Sequence, residues 1–419
     1  MSDVRWLLLL CLSRAGFALI NTVYAALIPL LRPAWSMSAS QAGAVQSAWH
    51  AGYVVSLVAA SVLAGRWGAK RTFLGMGWAA CATTLLFALG AHDYASAFLL
   101  YGLAGLCAGG SYVPGLTLIA ERFPPAARGR AMGAFIAAAS LGYALGLLGA
   151  GALGGWLSPR AGFLLAAAGT LFGLALAGWT LRATPNVTAP ADARRGFSPR
   201  ATLASLCWLW QHKPARCVIL AYAFHAWELL CMWAWLPAFL SAAVALQQGT
   251  AGVLPVAGAA LAALTHLVSM AGSLAGGSWS DRWGRSRVIL LMALSSVACS
   301  LVFGWLLAAP LWLLVLVAVF YNFAAVGDSA IYSAALTEVV PGQHLAAAYS
   351  LRSVLGFGMG ALSPWLFGIV LDAAGGTAVD AAQVSGPAPL AWGLAWSALG
   401  AVALVGPWLT WSLMRRRAH

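Results

Sequence analysis

Long apolar segments recur along almost the whole chain, and they limit what it can fold into. Runs of about 20 residues, the length at which a helix with 1.5 Å rise per residue crosses a bilayer, extend from Trp6 to Met414 with short polar breaks. Only 8% of the residues are charged and 62% are hydrophobic, so the composition excludes an ordinary soluble domain. The apolar runs do not alternate with period two, which excludes a transmembrane β-barrel.

The pattern therefore predicts an all-α integral membrane protein with twelve transmembrane helices. The predicted spans, numbered 1 to 12 along the chain, are 6–31, 43–64, 72–90, 96–120, 131–156, 161–181, 217–240, 254–276, 288–308, 311–336, 349–371 and 391–414. Span 1 follows a short head containing Arg5, as a signal peptide would. The run is too long for a signal peptide and no small-residue cleavage site follows it, so we expect a retained helix.

The net charge of +13 reflects topology, because the positive residues cluster in alternate loops. The clusters follow spans 2, 4, 6, 8 and 12, and include Arg66, Lys70, Arg71, Arg122, Arg128, Arg130, Arg194, Arg195, Arg282, Arg285, Arg287 and Arg415. The opposite loops hold only Arg32 and Arg160. The positive-inside rule then places both termini in the cytoplasm of an inner-membrane protein, with no nucleic-acid partner.

The sequence offers no convincing metal or cofactor site. Seven cysteines are scattered through apolar segments without a CxxC pair, which is typical of small buried hydrophobic residues. His266 and Met270 lie four residues apart in span 8, and His50 lies in span 2. A His and a Met on one helix face suit copper, so a copper carrier stays a minor alternative to ordinary packing.

Comparison of the two halves reveals an internal repeat. Arg66-Trp67-Gly68 after span 2 corresponds to Arg282-Trp283-Gly284 after span 8, at a shift of 216 residues. Glu121 and Glu338 at the ends of spans 4 and 10 are 217 apart, as are Gly110 and Gly327. A duplicated six-helix unit is an architecture of transport proteins. We therefore predict an N-terminal bundle over 1–182, a proline- and arginine-rich cytoplasmic linker over 183–216, and a C-terminal bundle over 217–419.

The loop SDRWGRSR after span 8 resembles the signature loop of the major facilitator superfamily, and PPAARGRAMG at 124–133 is similar to that family's loop after span 4. The resemblance covers the whole chain. It implies two pseudo-symmetric six-helix bundles that rock around a central site lined by spans 1, 4, 7 and 10. It also implies a cytoplasmic gate, whose matching positions here are Arg66, Glu121, Asp281, Arg282 and Glu338.

Three positions depart from the family pattern. Gly65 stands where the family usually has aspartate, so we expect a weaker gate in the first half. Leu147 replaces the proline of the antiporter signature in span 5, and Tyr101 replaces the arginine that drug exporters usually carry in span 4. Both weaken a drug-export hypothesis, and glycines in span 5 can simply let helices approach closely.

Ionisable residues inside a membrane are costly unless they face a cavity or a partner, so they are the best indicators of a site. Arg14 lies in span 1, Glu228 in span 7 and Asp328 in span 10. His225 lies three residues before Glu228, on the same helix face, where it can tune the proton affinity of the carboxyl group. Glu228 is the first candidate for a proton carrier and Asp328 the second. Arg14 can either attract an anionic substrate or neutralise one of these acids.

Polar and aromatic neighbours supply the remaining candidate substrate contacts, which are Tyr112, Trp227, Tyr321 and Asn322. The sequence thus indicates a proton-coupled carrier of a small organic solute, acting as a monomer in contact with lipid. An anionic solute is the preferred class because Arg14 is available. An exporter of amphipathic compounds is the alternative. An enzyme is disfavoured because GxSxG, P-loop and HExxH motifs are all missing. A sensor would need a signalling appendage and a channel would need a continuous pore, and the sequence gives no sign of either.

Overall fold

The computed structural model describes residues 1–186, 199–248, 254–375 and 388–417. Residues 187–198, which make up much of the predicted linker and include Arg194 and Arg195, lie outside this described part. The rest of the linker contains a helix over Pro199–Gln211.

All twelve predicted spans are confirmed, and no strand occurs among the described residues. In chain order the spans are Asp3–Ala34, Ala39–Trp67, Ala69–Gly90, Tyr94–Arg122, Pro125–Trp156, Pro159–Leu181, Lys213–Gln248, Leu254–Trp283, Arg285–Leu306, Leu311–Val339, Gly342–Ala373 and Ala388–Arg417. Most are longer than predicted, since the helices continue beyond their apolar stretches. Span 11 begins at Gly342 rather than at 349.

Four spans contain an interruption of the α-helix. Span 1 breaks at Leu19, span 4 passes through a short 3₁₀ turn at Gly109–Ser111, span 10 breaks at Asp328 and span 12 breaks at Leu404. In spans 4 and 10 the breaks lie 217 residues apart, so they occupy equivalent positions of the repeat. Breaks of this kind free backbone groups and allow polar side chains to meet inside a bundle.

The chain forms two compact units. Unit 1 comprises Met1–Met37, Ala48–Gly196 and Gly252–Ala263, and unit 2 comprises Ser38–Ser47, Phe197–Ala251 and Leu264–His419. Within unit 1, Trp6, Phe73 and Phe135 are buried in one apolar cluster. Unit 2 has its own cluster, in which Ile331, Tyr332 and Leu336 are buried.

Glycines set the closest helix contacts in unit 1. A Cβ at Gly142 of span 5 would lie 2.3 Å from the Ala15 carbonyl oxygen, and one at Gly16 would lie 2.6 Å from the Gly169 oxygen. Side chains longer than hydrogen do not fit at these distances, so spans 1, 5 and 6 pack backbone to backbone. Gly142 therefore has the packing role that was one of the two interpretations of the span 5 glycines.

In unit 2, the beginning of span 2 packs against the end of span 11. The two carboxyl oxygens of Asp372 each accept a 2.8 Å hydrogen bond, from the backbone N–H groups of Ala39 and Ser40. These donors are unpaired at a helix N-terminus, so Asp372 caps span 2 with a favourable charge. A Cβ at Gly43 would lie 2.1 Å from the Pro364 carbonyl oxygen, which makes this contact as close as those in unit 1.

The turns after spans 2 and 8 have the same backbone geometry. Gly68 has φ of +90° and Gly284 has φ of +89°, a region that side chains with a Cβ rarely adopt. The tight turn at Gly284 therefore recurs at Gly68, in the other copy of the repeat.

Candidate functional site

The first candidate acid, Glu228, lies deep inside unit 2. Glu228 is 3% exposed, and its Oε2 accepts a 3.0 Å hydrogen bond from the Ser296 hydroxyl of span 9. The Tyr321 hydroxyl of span 10 lies beside the same carboxyl group. Among the described residues no Lys or Arg forms an ion pair with Glu228, so its direct polar neighbours are neutral hydroxyl groups.

The second acid, Asp328, occupies the break in span 10 and is 1% exposed. His225 Nδ1 lies 3.0 Å from Asp328 Oδ1. The opposite ring nitrogen, Nε2, lies 2.8 Å from the Ser329 hydroxyl. The imidazole is thus held between an acid and a hydroxyl that are neighbours at one helix break. His225 contacts Asp328 directly, whereas its effect on Glu228 is electrostatic.

Little space surrounds this acid pair. A pocket lined in part by His225, Glu228, Ser296 and Tyr332 has no room for a water molecule. Glu228 and Asp328 are 3% and 1% exposed, so both carboxyl groups are shielded from bulk water.

A second polar group in unit 2 links spans 7, 8 and 10. The Trp233 indole N–H donates to Asn322 Oδ1 at 3.0 Å, and Asn322 Nδ2 donates to the Thr265 hydroxyl at 2.9 Å. The side-chain amide of Asn322 is therefore already hydrogen bonded on both sides. Trp227, another predicted substrate contact, points its indole N–H at the Leu399 carbonyl of span 12, at 3.3 Å.

Arg14 is a buried cation of unit 1 that lies among aromatic rings. Arg14, 6% exposed, donates from Nη1 to the Ser111 hydroxyl at 2.7 Å. Its guanidinium carbon lies 5.1 Å from the Tyr112 ring centre and 6.0 Å from that of Phe135, within the range of cation–π attraction. Arg14 and Tyr112, both predicted from sequence, are thus brought together.

The two buried groups are built on equivalent positions of the repeat. Ser111 and Asp328 are 217 residues apart, the shift that also relates Gly110 to Gly327. Each lies at the break of its helix, and each meets a basic side chain, Arg14 from span 1 or His225 from span 7. Unit 1 therefore joins a permanent cation to a hydroxyl, and unit 2 joins a titratable imidazole to an acid.

The predicted gate residues of unit 2 meet at a different arginine from the one proposed. Asp281 and Glu338 both contact Arg285, with Oδ1 of Asp281 2.5 Å from Nη1 and Oε1 of Glu338 3.3 Å from Nε. Arg282 is exposed and forms no ion pair among the described residues. Asp281 lies in the last turn of span 8 and Arg285 is the first residue of span 9, so the turn at Gly284 brings the two side chains together.

The corresponding turn of unit 1 has no acidic partner among the described residues. Asn186 donates from Nδ2 to the Trp67 carbonyl at 2.8 Å and accepts from the Arg71 N–H at 3.2 Å. Lys70 donates to the backbone oxygens of Arg182 and Thr184, at 3.0 and 2.9 Å. Arg66 and Glu121 are both exposed, and neither has an ion pair in the described part of the chain.

Arg352 is an ionisable residue that the sequence reasoning missed. The predicted span 11 began at 349, which puts Arg352 in its first turn, whereas the helix begins ten residues before Arg352. The signal that could have found it is the glycine- and alanine-rich segment from Gly342, which can continue a helix into the aqueous boundary. Ser296 and Ser111 were missed as well, since lone serines in apolar spans are common.

A metal site is not supported by the described residues. They contain no group of three or more His, Cys, Asp or Glu side chains that could hold a metal ion. His266 packs its ring 4.9 Å from that of Trp233.

Comparison with known proteins identifies relatives of this chain. A family model described as "Major Facilitator Superfamily" (MFS) matches residues 10–268. An uncharacterized MFS-type transporter of Mycobacterium tuberculosis, found in two strains, is 27% identical over 374 residues, which cover 88% of this chain and 80% of the relative.

Solved structures share the fold at low sequence identity. A bacterial homolog of the human lysosomal transporter Spinster, in an inward-facing and unoccupied conformation, has a TM-score of 0.77 at 18% identity, and covers 99% of this chain and 98% of its own. A structure from work on substrate recognition in proton-dependent oligopeptide transporters has a TM-score of 0.73 at 15% identity, covering 99% and 100%. At these identities the likeness establishes the fold.

Proposed function

The chain belongs to the major facilitator superfamily, and from that membership we propose that it carries a small organic solute across the inner membrane by alternating access, coupled to protons. The bundles are those over 1–182 and 217–419, joined by a cytoplasmic linker over 183–216. Both termini lie in the cytoplasm, as the alternating positive loops require.

The environment of Glu228 carries the proposal. An ionised carboxylate in a low-dielectric interior is costly unless a cation or several hydrogen bonds compensate it. Glu228 has hydroxyl neighbours, Ser296 and Tyr321, and no cationic partner within ion-pair distance among the described residues. These surroundings suit the neutral acid. When the site opens to water the charged form becomes acceptable, so a change of exposure loads and unloads one proton.

The other candidate acid, Asp328, pairs with His225 in the same unit. The imidazole, 3.0 Å from the carboxyl group, can hold a proton while the acid is charged and release it when the pair separates. Because the pair lies at a helix break, a small change in span 10 alters its geometry. We assign Glu228 as the coupling acid and the His225–Asp328 pair as its partner in proton transfer.

The solute is proposed to contact Arg14, which is buried in unit 1. Arg14 has hydroxyl and ring neighbours, and its charge is not cancelled by a carboxylate among the described residues. A small solute with an acidic group fits this chemistry. The oligopeptide transporter named above is described as proton dependent, which supports proton coupling in this fold.

The coupling assignment can be tested with Glu228→Gln and Asp328→Asn in proteoliposomes. A thermal-shift screen of the purified protein against metabolites, drugs and metals first supplies the solute. Glu228→Gln keeps the shape and mimics the protonated acid, so we expect it to lose accumulation driven by a pH gradient while exchange of labelled for unlabelled solute continues. Counterflow without chemical change also separates a carrier from an enzyme.

Two outcomes decide between the acids. If Glu228→Gln still concentrates the solute against its gradient and Asp328→Asn does not, the coupling acid is Asp328. If both variants concentrate it as the native protein does, proton coupling through this site is wrong. The pH dependence of intrinsic tryptophan fluorescence gives a readout that needs no solute, since Trp227 and Trp233 lie on the same span as Glu228.

A further inference from the structure

An arginine inside span 11 has surroundings that suit an anion. Arg352 lies ten residues after the start of the helix at Gly342, about 15 Å along its axis at 1.5 Å per residue. It is half-buried in unit 2. A permanent cation that is partly removed from water needs a partner or a polar space, so the contacts of Arg352 have to explain why it is there.

Aromatic rings and one hydroxyl surround the guanidinium group. Its carbon lies 4.4 Å from the ring centre of Tyr222 in span 7 and 5.6 Å from that of Tyr349 in span 11. Nη1 donates to the Ser333 hydroxyl of span 10. The Tyr349 hydroxyl donates to the Ser333 carbonyl at 3.2 Å, which fixes that ring beside the arginine. Three side chains from three spans thus hold one guanidinium group in place.

One N–H donor of the Arg352 guanidinium group has no acceptor among the described residues. Its Nε is buried and has no hydrogen-bond partner among the described residues. Since Nη1 is occupied by Ser333, the edge that contains Nε is the part of the planar fork left to accept a two-point contact. A carboxylate or phosphate matches such an edge with two parallel hydrogen bonds.

The acids of unit 2 do not neutralise this charge. Each described acid has another partner: Glu228 bonds Ser296, Asp328 contacts His225, Asp281 and Glu338 contact Arg285, and Asp372 caps span 2. No carboxylate in the described part of the chain forms an ion pair with Arg352. The positive charge is therefore available to an anion that the protein does not itself supply.

We propose that Arg352, with Tyr222, Tyr349 and Ser333, binds a carboxylate or phosphate group of the transported solute. The proposal rests on the proposed carrier function and specifies its substrate class, an organic anion. Tyr222 and Tyr349 hold the guanidinium plane by cation–π contact, Ser333 orients it, and the Nε edge receives the oxyanion. An anionic lipid headgroup offers the same oxygens, so the experiment must separate the two sources.

Thermal shift of the purified full-length protein in detergent tests the site without a proton gradient. The probes are succinate, benzoate and glycerol 3-phosphate, each compared with its uncharged counterpart: succinamide, benzamide or glycerol. We expect at least one anion to stabilise the native protein where its counterpart does not. Arg352→Gln should weaken that anion at least tenfold, and Arg352→Lys should weaken it less, because an ammonium keeps the charge and loses the fork.

Matched variants separate recognition from folding. Arg287→Gln removes an exposed arginine of the same unit and should leave the anion-dependent shift unchanged. Tyr222→Phe keeps the ring under Arg352 and should retain binding, whereas Tyr222→Leu should reduce it. The proposal is overturned if no anion-dependent shift is found, or if Arg352→Gln keeps the native affinity for the anion.

A second thermal-shift experiment tests an anionic lipid as the ligand, using phosphatidylglycerol in mixed micelles. Stabilisation by phosphatidylglycerol that needs Arg352, with none from the soluble anions, would overturn the assignment to a solute. These readouts are independent of coupling: if Glu228→Gln and Asp328→Asn both leave gradient-driven accumulation intact while Arg352→Gln loses anion binding, the coupling proposal fails and the anion site stands.

Discussion

A buried arginine needs acceptors for its donors, and Arg14 finds one in Ser111. The hydroxyl of Ser111 is 3% exposed and accepts from Nη1 at 2.7 Å. A hydrogen bond to a charged group is about twice as strong as a neutral one, and an orphaned buried donor costs more than the bond itself gains.

We therefore expect Ser111→Ala to destabilise unit 1 by about 1–3 kcal/mol, because the buried Nη1 of Arg14 loses its acceptor. Ser13→Ala is the matched control, since its hydroxyl makes a bond of the same length, 2.7 Å, to the neutral Gly173 carbonyl. Thermal unfolding followed by a thiol-reactive dye compares the two variants. Equal midpoints would contradict the charged character of the Ser111 bond.

Individual residues were predicted well where one charged side chain stands alone in an apolar run. Arg14, Glu228 and Asp328 are conspicuous in the sequence, and each is buried among polar groups in the structure. Their partners were harder to predict, since the Ser296 and Ser111 hydroxyl groups come from other spans. Hydropathy contains no information about which helix faces meet, so these contacts could not be predicted without the three-dimensional structure.

At the scale of one element, the helix breaks matter more than the helix ends. The contact between spans 8 and 10 is closest beside the break at Asp328, where a Cβ at Gly276 would lie 2.0 Å from the Gly327 carbonyl oxygen. The obstacle is backbone, so it cannot move aside as a flexible side chain would.

Gly276→Ala should therefore push span 8 away from span 10, at a cost of about 1–3 kcal/mol typical of overpacking. The adjacent glycine is the control: a Cβ at Gly277 meets nothing within 4 Å, so Gly277→Ala should unfold at or above the native temperature because alanine favours the helix. Circular dichroism melting in detergent distinguishes the two variants. A stable Gly276→Ala protein would show that this contact is not required.

The transmembrane helices could largely be predicted from the sequence, because a bilayer requires long apolar helices. The breaks were not, with one partial exception: Gly109 and Gly110 mark the turn in span 4, whereas the breaks at Leu19 and Leu404 have no glycine or proline at the break. The start of span 11 was placed seven residues late for a related reason. Its first two turns are weakly apolar, yet they remain helical.

For the whole molecule, topology is the expectation that most needs an experiment. With twelve spans and positive loops after spans 2, 4, 6, 8 and 12, both termini are expected in the cytoplasm.

Fusion of a folding reporter at His419 should give fluorescence typical of the cytoplasm, and alkaline phosphatase at the same position should be inactive. The control places both reporters after Trp156, at the end of span 5, where the opposite pattern is expected. Active phosphatase at His419 would require an odd number of spans.

The equivalent breaks in spans 4 and 10 show how a duplicated gene can specialise. Ser111 and Asp328 occupy equivalent positions of the repeat, whereas their basic partners, Arg14 and His225, lie 211 residues apart and do not. One copy pairs a hydroxyl group with a guanidinium group, and the other pairs a carboxyl group with an imidazole. After duplication, then, the two halves preserved a common architecture while the polar groups at their breaks diverged, an asymmetry that two identical subunits of a homodimer could not have evolved.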